Sequence, residues 1–82
     1  GDSAAQARQA MENIQALLEA AGATFDNVVK MNIYVTNMGD REAMGRARVP
    51  FLKQPYPTST LVEVKALAHP DYMVEIEAVA AL

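Results

Sequence analysis

Two glutamates in the segment VEIEA are the residues whose types and spacing best suit chemistry. Glu75 and Glu77 fall in a stretch typical of a β-strand, so both side chains are expected on one face, roughly 6 to 7 Å apart. Two such carboxylates can divide general-acid and general-base roles when their surroundings push their pKa values apart. The same spacing is common in solvated strands, where Lys30 and Lys65 would balance the charge. Spacing alone leaves both interpretations open.

A second group of candidates follows the proline-rich segment PYP. Ser59 and Thr60 begin the predicted strand STLVEVKA with two small neutral hydroxyls. Ser59 could be combined with His69 and Asp71 as a nucleophilic triad, but no nucleophile elbow or glycine-rich oxyanion loop accompanies them. We therefore predict an exposed turn histidine. No clustered metal-ligand spacing occurs, so neither a metal nor a cofactor is expected.

Length and composition limit the classes of protein to be considered. Eighty-two residues, 51% of them hydrophobic, predict a single folded domain that gains stability from self-association. A net charge of −3 argues against nucleic acid as a partner. The sequence has no cysteine and no apolar run of the roughly 20 residues that a membrane helix needs. We predict a cytoplasmic protein without a membrane partner.

The first half of the chain predicts a helix and then a strand. The segment DSAAQARQAMENIQALLEAAG has helical apolar spacing, with Asp2 or Ser3 as its N-cap and Gly22 as its stop. Its predicted apolar stripe comprises Ala7, Met11, Ile14, Leu18 and Ala21, with Ala10 and Leu17 beside it. The next segment, VVKMNIYVTNM, alternates with period two. Its predicted inward residues are Val29, Met31, Ile33 and Val35, and its outward ones are Lys30, Asn32, Tyr34 and Thr36.

The second half predicts a helix and two further strands. Asp40 is the expected N-cap of GDREAMGRARVPFLKQ, and Pro50 is expected to end or kink that helix. Its inward residues are Ala43, Met44, Ala47 and Phe51. The predicted inward residues of the two strands are Val62 and Val64, then Val74, Ile76 and Ala78. The predicted opposite face carries Ser59, Leu61, Glu63, Lys65, Glu75 and Glu77.

This order of elements predicts an α+β fold with two helices on one face of a small mixed sheet. The strands at 28–36 and 59–66 should run parallel through a crossover connection, and the last strand should lie antiparallel to one of them. The second face of the sheet is mixed, with Tyr34, Leu61 and Met73 among Lys and Glu. Contact with another subunit and a half-solvated open sheet both remain possible at this point.

Three segments in a fixed order resemble the RidA/YjgF family of reactive-imine deaminases. They are NIQALLEAAGATFDNVVKMNIYVTNMGDREAM, PYPTSTLVEV and VEIEAVA, and the match runs in register from about Gln6 to Ala81. The resemblance implies a chorismate-mutase-like fold, a homotrimer with small-molecule clefts between subunits, and a last strand beside strand 28–36. Family members also begin with strands that the single domain 1–82 is expected to lack. One edge of its last strand would then be unpaired.

The resemblance also implies roles for the candidate residues. Glu75 corresponds to the carboxylate that helps position the attacking water. Ser59 stands where the deaminases have an arginine that binds the substrate carboxylate in a bidentate pair. We therefore predict weakened use of 2-imino acids. Ser59, Thr60 and Tyr34 are the predicted substrate-binding residues.

Three functions follow as hypotheses. The first is a hydrolase of small imines or enamines that uses Glu75, and the second is a non-catalytic trimer that binds a small molecule in the same clefts. Whether the chain is an enzyme therefore stays open. The third is RNA cleavage, another activity attributed to the family, which the acidic composition and the single histidine, His69, disfavour.

Overall fold

A computed structural model describes residues 2–82 of the chain. Within that range the α-helices are α1 (Ser3–Ala20) and α2 (Arg41–Arg48), and the strands are β1 (Val28–Val35), β2 (Thr58–Glu63) and β3 (Val74–Ala80). Short 3-10 turns occupy Phe25–Asn27, Met38–Asp40 and Val49–Phe51. The predicted order of helices and strands is confirmed.

The strands form a mixed sheet with β1 at its centre. The order is β2-β1-β3, with β2 parallel to β1 and β3 antiparallel to it. Ile33 of β1 lies opposite Leu61 on one side and Ile76 on the other. The prediction that the last strand lies beside β1 is confirmed. Because β1 separates them, β2 and β3 form the two edges of the sheet.

Helix α1 begins and ends as its sequence predicts. The Asp2 side chain accepts hydrogen bonds from the backbone N–H groups of Ala4 (3.0 Å) and Ala5 (3.2 Å), which would otherwise lack partners. Gly22 takes a left-handed conformation with φ of 77° just beyond the helix. The inner stripe is buried at Ala7, Met11 and Leu18.

The apolar face of α1 is narrower than predicted near its C-terminal end. Leu17 is 73% exposed and Ala21 is also exposed. Ile14 is half-buried against the core. Both exposed residues border a groove between α1 and β3, so they extend the apolar stripe beyond the packed part of the chain.

Helix α2 is shorter than predicted. Asp40 occupies the predicted N-cap position, but its side chain makes no capping hydrogen bond. The Asn37 side chain instead accepts from the N–H of Gly39 at 2.9 Å and caps the 3-10 turn ahead of the helix. The 3-10 turn Val49–Phe51 follows α2 and contains Pro50, which confirms that the proline ends the α-helix.

The core lies between the two helices and the inner face of the sheet. Its largest fully buried side chains are Met11, Met31, Ile33, Met44 and Val35. Three of these five are methionines, whose flexible side chains fill irregular gaps in packed cores. Phe25 and Phe51 pack edge to face, with ring centroids 5.8 Å apart, at the margin of this core.

Val29 does not point inward as predicted. The register between β1 and β3 shifts between Val28 and Lys30, so Val29 is an extra residue in a β-bulge. Val28 is buried in its place, while Val29 is 50% exposed. At a bulge the odd- and even-numbered positions of a strand exchange faces. The alternation of apolar and polar residues along the sequence does not show where this happens.

The predicted facing of β2 is wrong by one residue. Leu61 pairs with the buried Ile33 and packs on the core, whereas Val62 pairs with Tyr34 on the other face and is 38% exposed. Apolar residues occur at both parities of this strand, so its pattern cannot fix its register. Pairing with β1 decides the facing.

Glu63 follows the facing of Leu61. Its Oε1 accepts a 2.7 Å hydrogen bond from the backbone N–H of Met38, in the 3-10 turn before α2. The predicted place of Glu63 on the face away from the helices is therefore wrong. This carboxylate instead anchors the helix layer to the edge strand β2.

Candidate functional site

The face of the sheet away from the helices, here called the outer face, collects most of the candidate residues. In a sheet, residues paired across neighbouring strands point to the same side. The pairing places nine residues on the outer face: Lys30, Asn32 and Tyr34 of β1; Thr58, Thr60 and Val62 of β2; and Glu75, Glu77 and Val79 of β3.

A hydrogen-bonded group lies at the centre of the outer face. Tyr34 lies opposite Glu75, and Asn32 lies opposite Glu77. The Tyr34 hydroxyl donates to Oε1 of Glu77 at 2.8 Å, and Nδ2 of Asn32 donates to the same oxygen at 3.3 Å. Glu77 is therefore held by neutral donors on β1.

Glu75 differs from Glu77 in having no such partner. Across residues 2–82, its carboxylate enters no hydrogen bond or ion pair, whereas Lys53 and Asp26 form an ion pair at 3.7 Å. Among these residues no lysine lies within ion-pair distance of Glu75 or Glu77. One carboxylate is engaged and the other is open to solvent or a ligand.

The surroundings of Tyr34 keep its hydroxyl protonated. The hydrogen bond to Glu77 raises the pKa of the phenol above its ordinary value, with smaller contributions from desolvation and from the negative charges of Glu77 and Glu75. Tyr34 is thus a neutral hydrogen-bonding group at physiological pH.

The start of β3, and with it Glu75, is positioned by a side chain of α1. Gln6 donates from Nε2 to the carbonyl oxygen of Asp71 at 2.9 Å and accepts at Oε1 from the N–H of Met73 at 2.7 Å. An amide side chain can make both bonds at once. This clamp fixes the loop that leads into β3.

A cavity of about 550 Å³ lies between α1 and the free edge of β3. Glu75 borders it, and its polar lining includes Gln9, Asn13 and Tyr72. Glu75 therefore lies where the outer face meets this cavity. A volume of this size suits a small molecule.

The predicted hydroxyl residues are divided between the two faces. Thr60 pairs with Asn32 and lies on the outer face. Ser59 pairs with the buried Met31, so it lies on the helix side at the exposed start of β2. Within one chain, Tyr34, Thr60 and Glu75 share a face, whereas Ser59 lies on the other face and in the opposite edge strand.

The prediction of an exposed histidine in a turn is confirmed. His69 is an exposed turn residue whose Nδ1 accepts a 3.1 Å hydrogen bond from the N–H of Asp71, and its ring lies 5.2 Å from that of Tyr72. No group of three potential metal ligands occurs among residues 2–82. None of the helices in this range has the length and apolar character needed to cross a membrane.

Sequence reasoning missed the role of Glu77. It treated Glu75 and Glu77 as an equivalent pair, because alternation along one strand gives their face but not their partners. The signal lay in β1, where Asn32 and Tyr34 have the same two-residue spacing. Antiparallel pairing then brings the four side chains together.

Comparison with known proteins agrees with this architecture. The family model described as Endoribonuclease L-PSP matches residues 1–82. The 2-iminobutanoate/2-iminopropanoate deaminase of Escherichia coli K12 is 35% identical over 82 residues, which cover 96% of this chain and 63% of that protein. The chain spans about three fifths of the length of the curated relatives it matches.

Solved structures show the same fold. A member of the YjgF/YER057c/UK114 family from Mycobacterium tuberculosis superposes with a TM-score of 0.94 at 40% identity, covering 100% of this chain and 70% of that one. TdcF of E. coli with bound serine superposes with a TM-score of 0.91 at 32% identity, covering 100% and 66%. From the full-length match and these structures, the chain belongs to the Endoribonuclease L-PSP family, which is the RidA/YjgF family that its motifs resemble.

Proposed function

We propose that this chain is the subunit of a hydrolase that deaminates small imines or enamines in clefts between subunits. The observation that carries the proposal is the contrast between two carboxylates on one strand. Glu77 is held by Tyr34 and Asn32, whereas Glu75 is unengaged at the rim of a cavity of small-molecule size. An unengaged carboxylate beside such a cavity suits a general base.

The proposed reaction needs one base and one water molecule. Glu75 accepts a proton from water while the water oxygen bonds to the imine carbon. That proton passes to the nitrogen and gives a carbinolamine. The remaining hydroxyl proton then moves to the same nitrogen as the carbon–nitrogen bond breaks, so ammonia leaves and the carbon–oxygen double bond forms. The sum is imine plus water giving ketone plus ammonia, with the carboxylate restored and no change of oxidation state.

The position of Ser59 supports a site shared between chains. Ser59 opens one edge strand and Glu75 belongs to the other, and the two side chains lie on opposite faces. A single ligand can therefore contact both residues only across a subunit boundary. The outer face also exposes Val62 and Val79, by 38% and 54%, in a single chain. A homotrimer that buries this face accounts for both features.

Ser59 also suggests which substrates are used poorly. A hydroxyl gives a carboxylate one neutral hydrogen bond, whereas an arginine gives two that are charge-assisted. That difference corresponds to about 1 to 3 kcal/mol, or roughly 5- to 150-fold in binding. We therefore propose that 2-imino acids are weak substrates and that Ser59 and Thr60 suit a substrate without a carboxylate.

The relatives support the chemistry without assigning it to this chain. A relative at 35% identity is named a 2-iminobutanoate/2-iminopropanoate deaminase, and a structural neighbour holds serine. Both point to small molecules with nitrogen on a short carbon chain. This chain spans about three fifths of the length of such relatives. Their activity is therefore proposed for this chain, and it is not taken as established for it.

Hydrolysis of 2-iminopropanoate, generated from alanine by an amino-acid oxidase, tests the proposal. Ammonia release above the uncatalysed rate is compared for the wild type, Ser59→Arg and Glu75→Gln, with Glu12→Gln on the exposed face of α1 as the matched control. We expect Glu75→Gln to lose about 100- to 10,000-fold in rate. Ser59→Arg should gain about 5- to 150-fold in kcat/KM. Equal rates for the wild type and Glu75→Gln would contradict the assignment of Glu75.

The alternative is a trimer that binds a small molecule without converting it. Ser59 favours this function, because it replaces the arginine that the deaminases have. A site without that arginine can keep a cleft of ligand size while no longer holding the substrate in the orientation that catalysis needs. A ligand that raises the melting temperature and is recovered unchanged would support it. Serine is the first ligand to test, since it occupies a structural neighbour. Turnover of any imine by the wild type would exclude it.

A further inference from the structure

The Tyr34–Glu77 hydrogen bond has a fixed direction. The two oxygens are 2.8 Å apart, and an ionised carboxylate has no proton to donate. The phenol must therefore donate, and it has one proton. With that proton committed to Glu77, the Tyr34 oxygen retains only lone pairs for any other partner.

Two neighbours maintain this direction. Asn32 donates to the same oxygen of Glu77 at 3.3 Å, which restricts the carboxylate from the side of β1. The negative charge of Glu75, directly opposite Tyr34, also disfavours loss of the phenol proton. Tyr34 itself is half-buried on the central strand. The hydroxyl is thus a preorganised acceptor.

We propose that Tyr34 is a specificity-determining residue that accepts a hydrogen bond from the N–H of an imine and gives none to the ketone formed from it. An imine nitrogen carries a proton that the Tyr34 oxygen can accept. A ketone oxygen only accepts, so in the same place it would face another lone pair. This inference rests on the proposed hydrolase function and adds a means of separating substrate from product.

Glu77 is then a positioning residue. It touches neither the substrate nor the water, and it acts by holding the Tyr34 proton. Glu75 keeps its separate role as the base. If the acceptor at position 77 is removed, the Tyr34 hydroxyl becomes free to rotate and can donate to a ketone. Loss of Glu77 should therefore strengthen product binding, whereas a purely structural residue would weaken all binding.

Four variants test this inference. Tyr34→Phe removes the hydroxyl, Glu77→Met removes the strong acceptor at similar length, and Glu77→Gln keeps an amide oxygen that can still accept. Tyr56→Phe, in the exposed loop before β2, removes the same atoms outside the site. KM and kcat are measured with 2-iminopropanoate, and the dissociation constant of its product, 2-oxopropanoate, is measured by calorimetry.

We expect Tyr34→Phe to raise KM by about 2- to 12-fold, which is the effect of one neutral hydrogen bond, with a smaller change in kcat. Glu77→Met should bind 2-oxopropanoate about 2- to 12-fold more tightly than the wild type. Glu77→Gln should restore the wild-type dissociation constant, and Tyr56→Phe should leave both constants unchanged. Circular dichroism confirms that each variant is folded.

Failure of this inference and failure of the proposed function give different results. A wild type without turnover rejects the hydrolase, while calorimetry with 2-oxopropanoate still reports the direction of the Tyr34 hydrogen bond. Equal or weaker product binding by Glu77→Met overturns the inference, as does product binding too weak to detect in both proteins. A wild type with turnover and equal KM for Tyr34→Phe overturns it as well.

Discussion

Replacement of Val62 by aspartate should separate assembly from folding. Val62 lies on the outer face beside Tyr34, outside the core between the helices and the sheet, and is 38% exposed in the single chain. An aspartate there should cost the isolated chain less than about 1 kcal/mol. In the proposed trimer the same position is buried between subunits.

The cost to assembly follows from the exposed area and the new charge. Full burial of a valine side chain contributes about 1.5 kcal/mol, so burial of the 38% left exposed contributes about 0.6 kcal/mol per chain. Removing an unpaired carboxylate from water costs several kcal/mol more. Glu75 and Glu77 on the same face add repulsion. A total above about 3 kcal/mol per chain corresponds to more than roughly 100-fold weaker association.

Sedimentation velocity measures this effect, and far-UV circular dichroism monitors the fold. Val49→Asp is the matched control, because Val49 is 54% exposed and lies in the 3-10 turn that follows α2. We expect Val62→Asp to sediment as a folded single chain while Val49→Asp sediments as the wild type does. A trimeric Val62→Asp protein with wild-type affinity would refute the assignment of the outer face to the subunit contact.

Three further predictions concern the chain itself. Met31→Ala should lower the free energy of unfolding by about 2 to 5 kcal/mol, because Met31 is fully buried on the central strand; an unchanged urea midpoint would contradict the packing described here. Gly22→Ala should destabilise the chain by about 1 to 2 kcal/mol through its φ of 77°, whereas Gly45→Ala, with open space around its Cβ in α2, should stabilise it by up to about 1 kcal/mol in the same urea assay. The pKa of Tyr34 is raised in the folded protein above its ordinary value of about 10. Its contribution to the free energy of unfolding is therefore fully present below about pH 10 and is lost as the pH rises through the folded-state pKa. In a pH titration followed by phenolate absorbance, the most alkaline step of the wild type should be absent from Tyr34→Phe. A wild type in which Tyr34 titrates as a free tyrosine does would argue against the Glu77 hydrogen bond.

Local patterns predicted the helices and strands because each has a strong local signal. Asp2 and Gly22 mark the ends of α1 through backbone requirements that depend on near neighbours alone. The facing of β2 could not be read in the same way, since Leu61 and Val62 are both apolar. The bulge at Val29 depends on pairing with a strand far along the chain.

The candidate site was also predictable only where it depends on a single strand. The shared face of Glu75 and Glu77 was predictable, because alternation within one strand fixes it. The difference between them was not, because it depends on Tyr34 and Asn32 across the sheet. The position of Ser59 on the helix side likewise required the register of β1 with β2. The residue types indicated acid–base chemistry, whereas the hydrogen-bond partners of each carboxylate depended on cross-strand pairing.

The central position of β1 has a consequence for the order in which the chain acquires structure. Its contacts join distant residues, as in the bonds from Thr58 to Val29, 29 positions apart, and from Tyr34 to Glu77, 43 positions apart. Such non-local pairing slows folding relative to helical proteins of similar size. The amides of β1 are covered on both sides, whereas β2 and β3 each keep one side unpaired in the single chain. Hydrogen exchange should therefore be slowest at β1, and transient opening should begin at the two edge strands that carry Ser59 and Glu75.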